Sequence, residues 1–163
     1  MHIRCVMEDN SLVLNDNDDV VNIKYIDSDN CDYILKYILV GDSNAGIASF
    51  CSKFIYDEFN QDLKATVGVE FAVKNIEIRN KVYKIQMWDT VGIVRYESFK
   101  STYYKGSKCA IFIYDVNNKN SFDHIVNWFE ECKMLAPKTI TMVLVGNKRG
   151  EGIEKKLMRR EKN

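Results

Sequence analysis

Nearly continuous apolar runs punctuate the chain: YILKYILV at 33–40, CAIFIYDV at 109–116 and TMVLVGNK at 141–148. Each has strand length, and a strand that is apolar on both sides belongs in a sheet covered on both faces. Segments with helical spacing lie between them. ASFCSKFIYDEF at 48–59 is predicted helical, and SFDHIVNWFEECKML at 121–135 reads as one amphipathic helix. EFAVKNIEIR at 70–79 and VYKIQMWD at 82–89 read as strands paired around Asn80 and Lys81. Strands interleaved with helices imply an α/β domain, a mostly parallel sheet with helices on both faces. Such folds bind ligands at the carboxyl ends of their strands. The loop after Val40, Asp89 and Asn147 all fall at such ends.

The first 32 residues differ in character: Asn and Asp dominate SLVLNDNDDVVNIKYIDSDNCD, and its short apolar pairs keep no period. Residues 1–32 are therefore expected to form a disordered acidic extension, 33–150 the domain and 151–163 a charged tail. With 23 basic and 23 acidic residues the formal charge is zero, so nothing in it draws the chain to nucleic acid. Five cysteines without a C-x-x-C pair argue for reduced thiols rather than a disulfide frame or a zinc site. A run of about 18 apolar residues is absent, as is a charged-then-apolar leader, so a soluble intracellular chain is expected. His2 stands where myristoylation needs glycine, and no cysteine follows Cys132, so no direct lipid anchor is expected.

Candidate chemistry concentrates at the strand ends. GDSNAGIASF, from Gly41 to Phe50, follows an apolar run and opens a helix, and its glycines match the first half of G-x-x-x-x-G-K-[ST]. Ile47 and Ala48 occupy the lysine and hydroxyl positions of that pattern. Gly41 and Gly46 retain an uncharged backbone cradle for phosphate. In WDTVG, Asp89 is placed to hold Mg²⁺ through water and Gly92 to meet a terminal phosphate, with an ordinary loop-start aspartate as the alternative. Asn147, in GNK at 146–148, is placed to hydrogen-bond a base, although such pairs are common.

Taken in order, these motifs resemble the Ras-superfamily small GTPases, most closely the Rab branch, from about Tyr33 to Lys148. GDSNAGIASF resembles a P-loop, TVGVEF the end of switch I and WDTVGIVRYESF switch II. YYKGSKCAIFIYDVNNKNSFDHIVNWFEE is similar to the stretch after switch II in Rabs, and VLVGNK to their guanine-reading motif. The resemblance implies a P-loop NTPase-like small GTPase domain that binds GTP or GDP with Mg²⁺ and switches vesicle traffic. Gly41, Asp42, Ser43, Asn44, Ala45, Gly46, Ile47, Ala48 and Ser49 would form the phosphate loop, and Phe59 would flank the guanine. Thr66 would close over the terminal phosphate and its Mg²⁺, Asp89 would sit behind the ion, and Gly92 would donate to the γ-phosphate. Asn147 and Lys148 fall in the guanine-reading motif. Phe71, Trp88 and the Tyr103/Tyr104 pair resemble the surface aromatics through which Rabs contact effectors, with core or half-buried packing as the alternative. Rab-type effectors or regulators would dock on the switch surfaces, and a cytoplasmic chain would reach endomembranes through them.

Four positions depart from the family: Ile47 for the phosphate lysine, Ala48 for the Mg²⁺ hydroxyl, Ile93 for the water-orienting glutamine and Gly150 for the guanine-reading aspartate. Two lost charge-assisted hydrogen bonds cost about 3 to 6 kcal/mol and a lost lysine about 2 to 4 more. Together that is roughly four to seven decades of affinity. Nucleotide and Mg²⁺ binding is expected to be weak or absent. The family continues past this point with another strand and a closing helix, where this chain has EGIEKKLMRREKN, so the last strand and helix are expected to be missing. A weak nucleotide switch, a pseudo-GTPase interaction module and a non-functional truncated copy remain open. Trp128 reads as packing, Arg95 as a solvated charge, and His2 and His124 receive no role.

Overall fold

The computed structural model describes residues 5–8, 11–14, 20–27, 29–56, 70–90 and 97–148. They divide into two compact units, 1–35 with 73–86 and 36–72 with 87–163, whose boundary falls inside three of the strands.

In the first unit β1 (Cys5–Glu8), β2 (Ser11–Leu14) and β3 (Val20–Tyr25) form an antiparallel meander. β3 then pairs antiparallel with β5 (Glu70–Ile78), setting Ile23 opposite Ile78 and Tyr25 opposite Ile76. Residues 5–8, 11–14 and 20–25 are thus strands within the stretch expected to be unstructured. VVNIKY is short and half polar, so its period is weak, and its pairing depends on a strand some fifty residues away in the chain. β5 turns into β6 (Lys81–Asp89) through Arg79 and Asn80, whose φ values of 51° and 59° define the two-residue turn that matches strand twist. Asp32 fastens the hairpin: its carboxylate accepts from Val82 N–H at 2.8 Å and from Lys81 Nζ at 3.2 Å. Those bonds hold its carboxyl below the usual range, the Val82 amide contributing most.

The second unit carries the parallel part of the sheet. β4 (Tyr33–Gly41) enters it at Lys36 and pairs in parallel with β7 (Cys109–Asp115), which pairs in parallel with β8 (Thr141–Asn147). Pairing is parallel among β4, β7 and β8 and antiparallel among β1, β2, β3 and β5. α1 (Ile47–Tyr56) follows β4, and α2 (Glu97–Tyr104) precedes β7. α2 is a helix that the apolar pattern did not single out. It ends where Gly106 takes φ 75°, and Lys36 Nζ reaches the terminal carbonyls of Thr102 and Lys105 at 3.3 and 3.2 Å.

The single helix expected over 121–135 is two, α3 (Lys119–Asp123) and α4 (Ile125–Leu135), broken at His124. Asn118 caps α3, its side chain accepting from Asn120 N–H. Ile38 and Val40 of β4 and Ala110 and Phe112 of β7 form one buried cluster with Tyr104 and Cys132, and Ile125, Trp128 and Leu135 of α4 close over it. Leu39 and Ile113, at the alternate positions of the same strands, are also wholly buried, which is why these runs read as continuously apolar. Cys31, Cys51, Cys109 and Cys132 carry thiols and not disulfides.

Burial pushes the Cys109 and Cys132 thiols up from 9.0 to about 11, and raises the Tyr104 phenol further. A raised folded-state value contributes stability that is present below the unfolded value and lost as pH climbs through the folded one. Unfolding free energy is therefore expected to fall between pH 9.0 and about 11. Denaturant titrations across that window check it: Cys109→Ala/Cys132→Ala should flatten the decline, and an unchanged slope in that variant would assign it elsewhere.

Candidate functional site

The parallel register brings Gly41, Asp115 and Asn147 to the carboxyl ends of β4, β7 and β8. Gly41 has φ 154°, and a Cβ there would lie 2.2 Å from the Ile113 carbonyl oxygen, so the loop leaves β4 against the backbone of β7. Ala45 N–H then donates to Asp42 O at 2.9 Å, and the first helical bond of α1 runs from Phe50 N–H to Gly46 O at 3.0 Å. The amides of Gly46 to Ser49 belong to the first turn and have no acceptor within the helix, the usual condition of a helix start. A phosphate finds N–H donors and a favourable dipole there.

Side chains distant in sequence fix this loop. Asn147 Nδ2 donates to Ala45 O at 2.9 Å and Gly46 O at 3.2 Å. Gly46 has φ 82°, and a Cβ on it would come within 2.6 Å of that same Nδ2. Lys148 Nζ donates to Asn44 O and pairs with Asp115 Oδ2 at 3.0 Å. Asn117 Nδ2 donates to Lys148 O at 2.9 Å, while Asn117 N–H donates to Asp115 Oδ1 at 2.9 Å. The Asn117 amide, followed by the Lys148 ammonium, holds the Asp115 carboxyl below the usual range. On the other side of the loop, His124 Nδ1 lies 2.8 Å from Asp42 Oδ2, and Trp128 Nε1 donates to Asp42 Oδ1 at 3.1 Å.

The structure thus gathers Gly41 to Ser49, Asn147 and Lys148 into one region, as their spacing suggested. Asp115, Asn117, His124 and Trp128 were not expected there. A partial signal existed: His124 and Trp128 stand four apart, hence on one face of a helix, and Asp42 is a carboxylate that needs donors.

Two positions set the chemical character of the region. Ile47 is 1 % exposed, an interior residue that puts no cation on the loop. Ala48 offers a methyl where a metal-binding hydroxyl would be needed. Asp89 ends β6 with 1 % exposure, next to Thr90, whose hydroxyl donates to Leu39 O at 2.7 Å. Among the described residues no three His, Cys, Asp or Glu side chains are grouped to hold a metal. Of the residues expected at Mg²⁺, Ala48 offers no ligand oxygen and Asp89 an enclosed carboxylate, while Thr66 lies outside the described residues; the loop amides with Asn147 and Lys148 offer donors of the kind a nucleotide takes. Phe59, Thr66, Gly92, Ile93, Arg95 and Gly150 lie outside the described residues.

The surface aromatics separate into two groups. Phe71, 50 % exposed, meets Trp88 with ring centroids 5.0 Å apart, and Trp88 meets Tyr103 at 6.1 Å. Lys36 Nζ lies 4.8 Å from the Trp88 ring centroid. Tyr104 points the other way. It is 3 % exposed in the core cluster and donates its hydroxyl to Glu131 Oε1 at 2.9 Å, so it offers no surface for docking.

An α/β unit with a glycine-flanked loop between a strand and a helix, gripped by an Asn-Lys pair from another strand end, defines a phosphate-loop type of domain. The Ras family pattern matches residues 36–162 of this sequence. Ras-related protein RABA4d of Arabidopsis thaliana is 44% identical over 117 residues, which are 72% of this chain and 53% of that protein. Ras-related protein Rab11D of Nicotiana tabacum is 41% identical over 121 residues, 74% of this chain and 54% of the relative. GTP-binding protein ypt3 of Schizosaccharomyces pombe is 42% identical over 120 residues, 74% and 56% respectively. The chain belongs to the Ras family of small GTPases, in its Rab branch. It spans about half the length of the curated relatives it matches.

The Trp128 and His124 contacts make Asp42 the outer anchor of the loop. Trp128→Phe keeps the packing and removes one hydrogen bond to a carboxylate, an expected loss of about 1 to 2 kcal/mol. Urea unfolding measures it: the midpoint should fall with no change in m-value, and an unmoved midpoint would show that Asp42 does not draw on Trp128.

Proposed function

We propose that this chain is a Rab-type domain of vesicle trafficking that binds guanine nucleotide weakly and without need of Mg²⁺. The observation that carries this reading is Ile47, enclosed at 1 % exposure on a loop that Asn147 and Lys148 otherwise hold in place. The loop amides and the Asn-Lys pair support residual binding, and the missing cation, hydroxyl and aspartate support its weakness. Ile93 in place of the water-orienting glutamine supports negligible hydrolysis. Isothermal titration with GDP and GTP tests the reading. Dissociation constants of micromolar or weaker are expected, with less than a tenfold change on adding a chelator. Nanomolar affinity, or a tenfold or larger loss with chelator, would overturn it.

The burial of Ile47 also predicts how affinity returns. Ile47→Lys alone places an ammonium at an enclosed position, so it is expected to lower the stability of the nucleotide-free chain while restoring neither metal nor base recognition. Ile47→Lys with Ala48→Ser and Gly150→Asp should bind far more tightly than any single change, because groups that share one ligand couple. Tight GTP binding by Ile47→Lys alone, seen in the same titration, would refute this division of the loss.

A second reading rests on Phe71, Trp88 and Tyr103. An aromatic cluster, exposed at Phe71 and half-buried at Trp88 and Tyr103, supports an interaction module that works without nucleotide. Titrations that give no heat even at millimolar nucleotide would favour it. In both readings partners are Rab-type effectors or regulators, and recruitment to endomembranes runs through them. Among the described residues no helix is long and apolar enough to cross a membrane.

A further inference from the structure

β5 has two edges. One faces β6 across the hairpin, and the other faces β3, a strand from the first 35 residues of the chain. An edge strand left open presents a row of unpaired N–H and C=O groups, a template on which any extended segment can pair. Here the register is set: Ile23 opposite Ile78, Lys24 opposite Glu77, Tyr25 opposite Ile76, with Ile26 N–H donating to Asn75 O at 3.3 Å. Because hydrogen-bonded and non-hydrogen-bonded pairs alternate, Lys24/Glu77 is a bonded pair like Ile26/Asn75. The amides of Asn75 and Glu77 therefore point to β3, and those of Ile76 and Ile78 point away from it. Side chains add selectivity. Lys24 stands across from the opposite charge of Glu77, and Lys74 Nζ lies 3.7 Å from the centroid of the Tyr25 ring.

We propose that the outer edge of β5 is a strand-accepting surface that the chain's own residues 23–26 occupy in cis. A partner that pairs there is an extended peptide with a basic residue followed by an aromatic one, and it binds only after residues 23–26 are displaced. The N-terminal segment thereby acts as a guard on the edge, blocking strand addition by other chains.

Two experiments on the 163-residue chain test this. The first is residue-resolved amide hydrogen exchange. Lys24→Pro deletes the Lys24 donor from the ladder, and Asn75 and Glu77 should exchange at least tenfold faster while Ile76, Ile78 and the amides of β7 hold. Lys24→Glu sets like charges opposite each other and should give a smaller acceleration, which Lys24→Glu/Glu77→Lys should reverse; this pair remains informative if proline disturbs the fold. The second adds a labelled synthetic peptide of residues 20–27, VVNIKYID, and reads fluorescence anisotropy. Lys24→Pro should bind it at least tenfold more tightly than the unaltered chain. Equal exchange at Asn75 and Glu77 in all variants, or equal peptide binding by the unaltered chain, would overturn the proposal.

Discussion

The Asn147 carboxamide, donating to the carbonyls of Ala45 and Gly46, is the contact on which the rest of the site depends. It joins the end of β8 to the loop after β4, strands that are not neighbours because β7 runs between them. Parallel register makes the reach possible, since β7 aligns Ile113 with Gly41 and Asp115 with Asn147. Lys148 continues the grip one residue later, and Asp115 and Asn117 hold Lys148 in turn. Glycine suits position 46 because its φ of 82° strains other residues, and a Cβ there would also displace the Asn147 amide from its bonds.

The loop is held from both sides by different chemistry. On the strand side the partners are its own carbonyls, which leaves the first amides of α1 without an acceptor inside the helix. On the α4 side the partner is the Asp42 carboxylate, bound by an imidazole and an indole. A preformed cradle lowers the ordering cost of binding a phosphate. It does not supply charge, and the Lys148 ammonium is already engaged by Asn44 and Asp115. Ile47 and Ala48, at the lysine and hydroxyl positions, are where the loop departs from the family pattern.

The element types were legible because periodicity is local. Runs buried on both faces read as strands, and β4, β7 and β8 lie where those runs are. The weakest signals failed for equally physical reasons. β3 is short, half polar and paired to a distant partner, so its composition looked like that of an unstructured segment. The helix over 121–135 breaks at His124, where the α3 and α4 segments meet beside the Asp42 contact, and no local propensity marks that position.

What the sequence determined by itself is the order of the elements and the identity of the loop motifs, since both depend on residues close together in the chain. Which of two adjacent tyrosines is buried was decided by the tertiary structure: Tyr103 stays half-buried beside Trp88, and Tyr104 enters the core to meet Glu131. So was the place of Ile47, whose substitution is visible in the sequence but whose enclosure depends on packing around α1. The bonds from His124 and Trp128 to Asp42 and from Asn147 to the loop span 82 to 102 residues. Contacts at that separation exist only once the sheet has set its register, because no window of the sequence contains both partners.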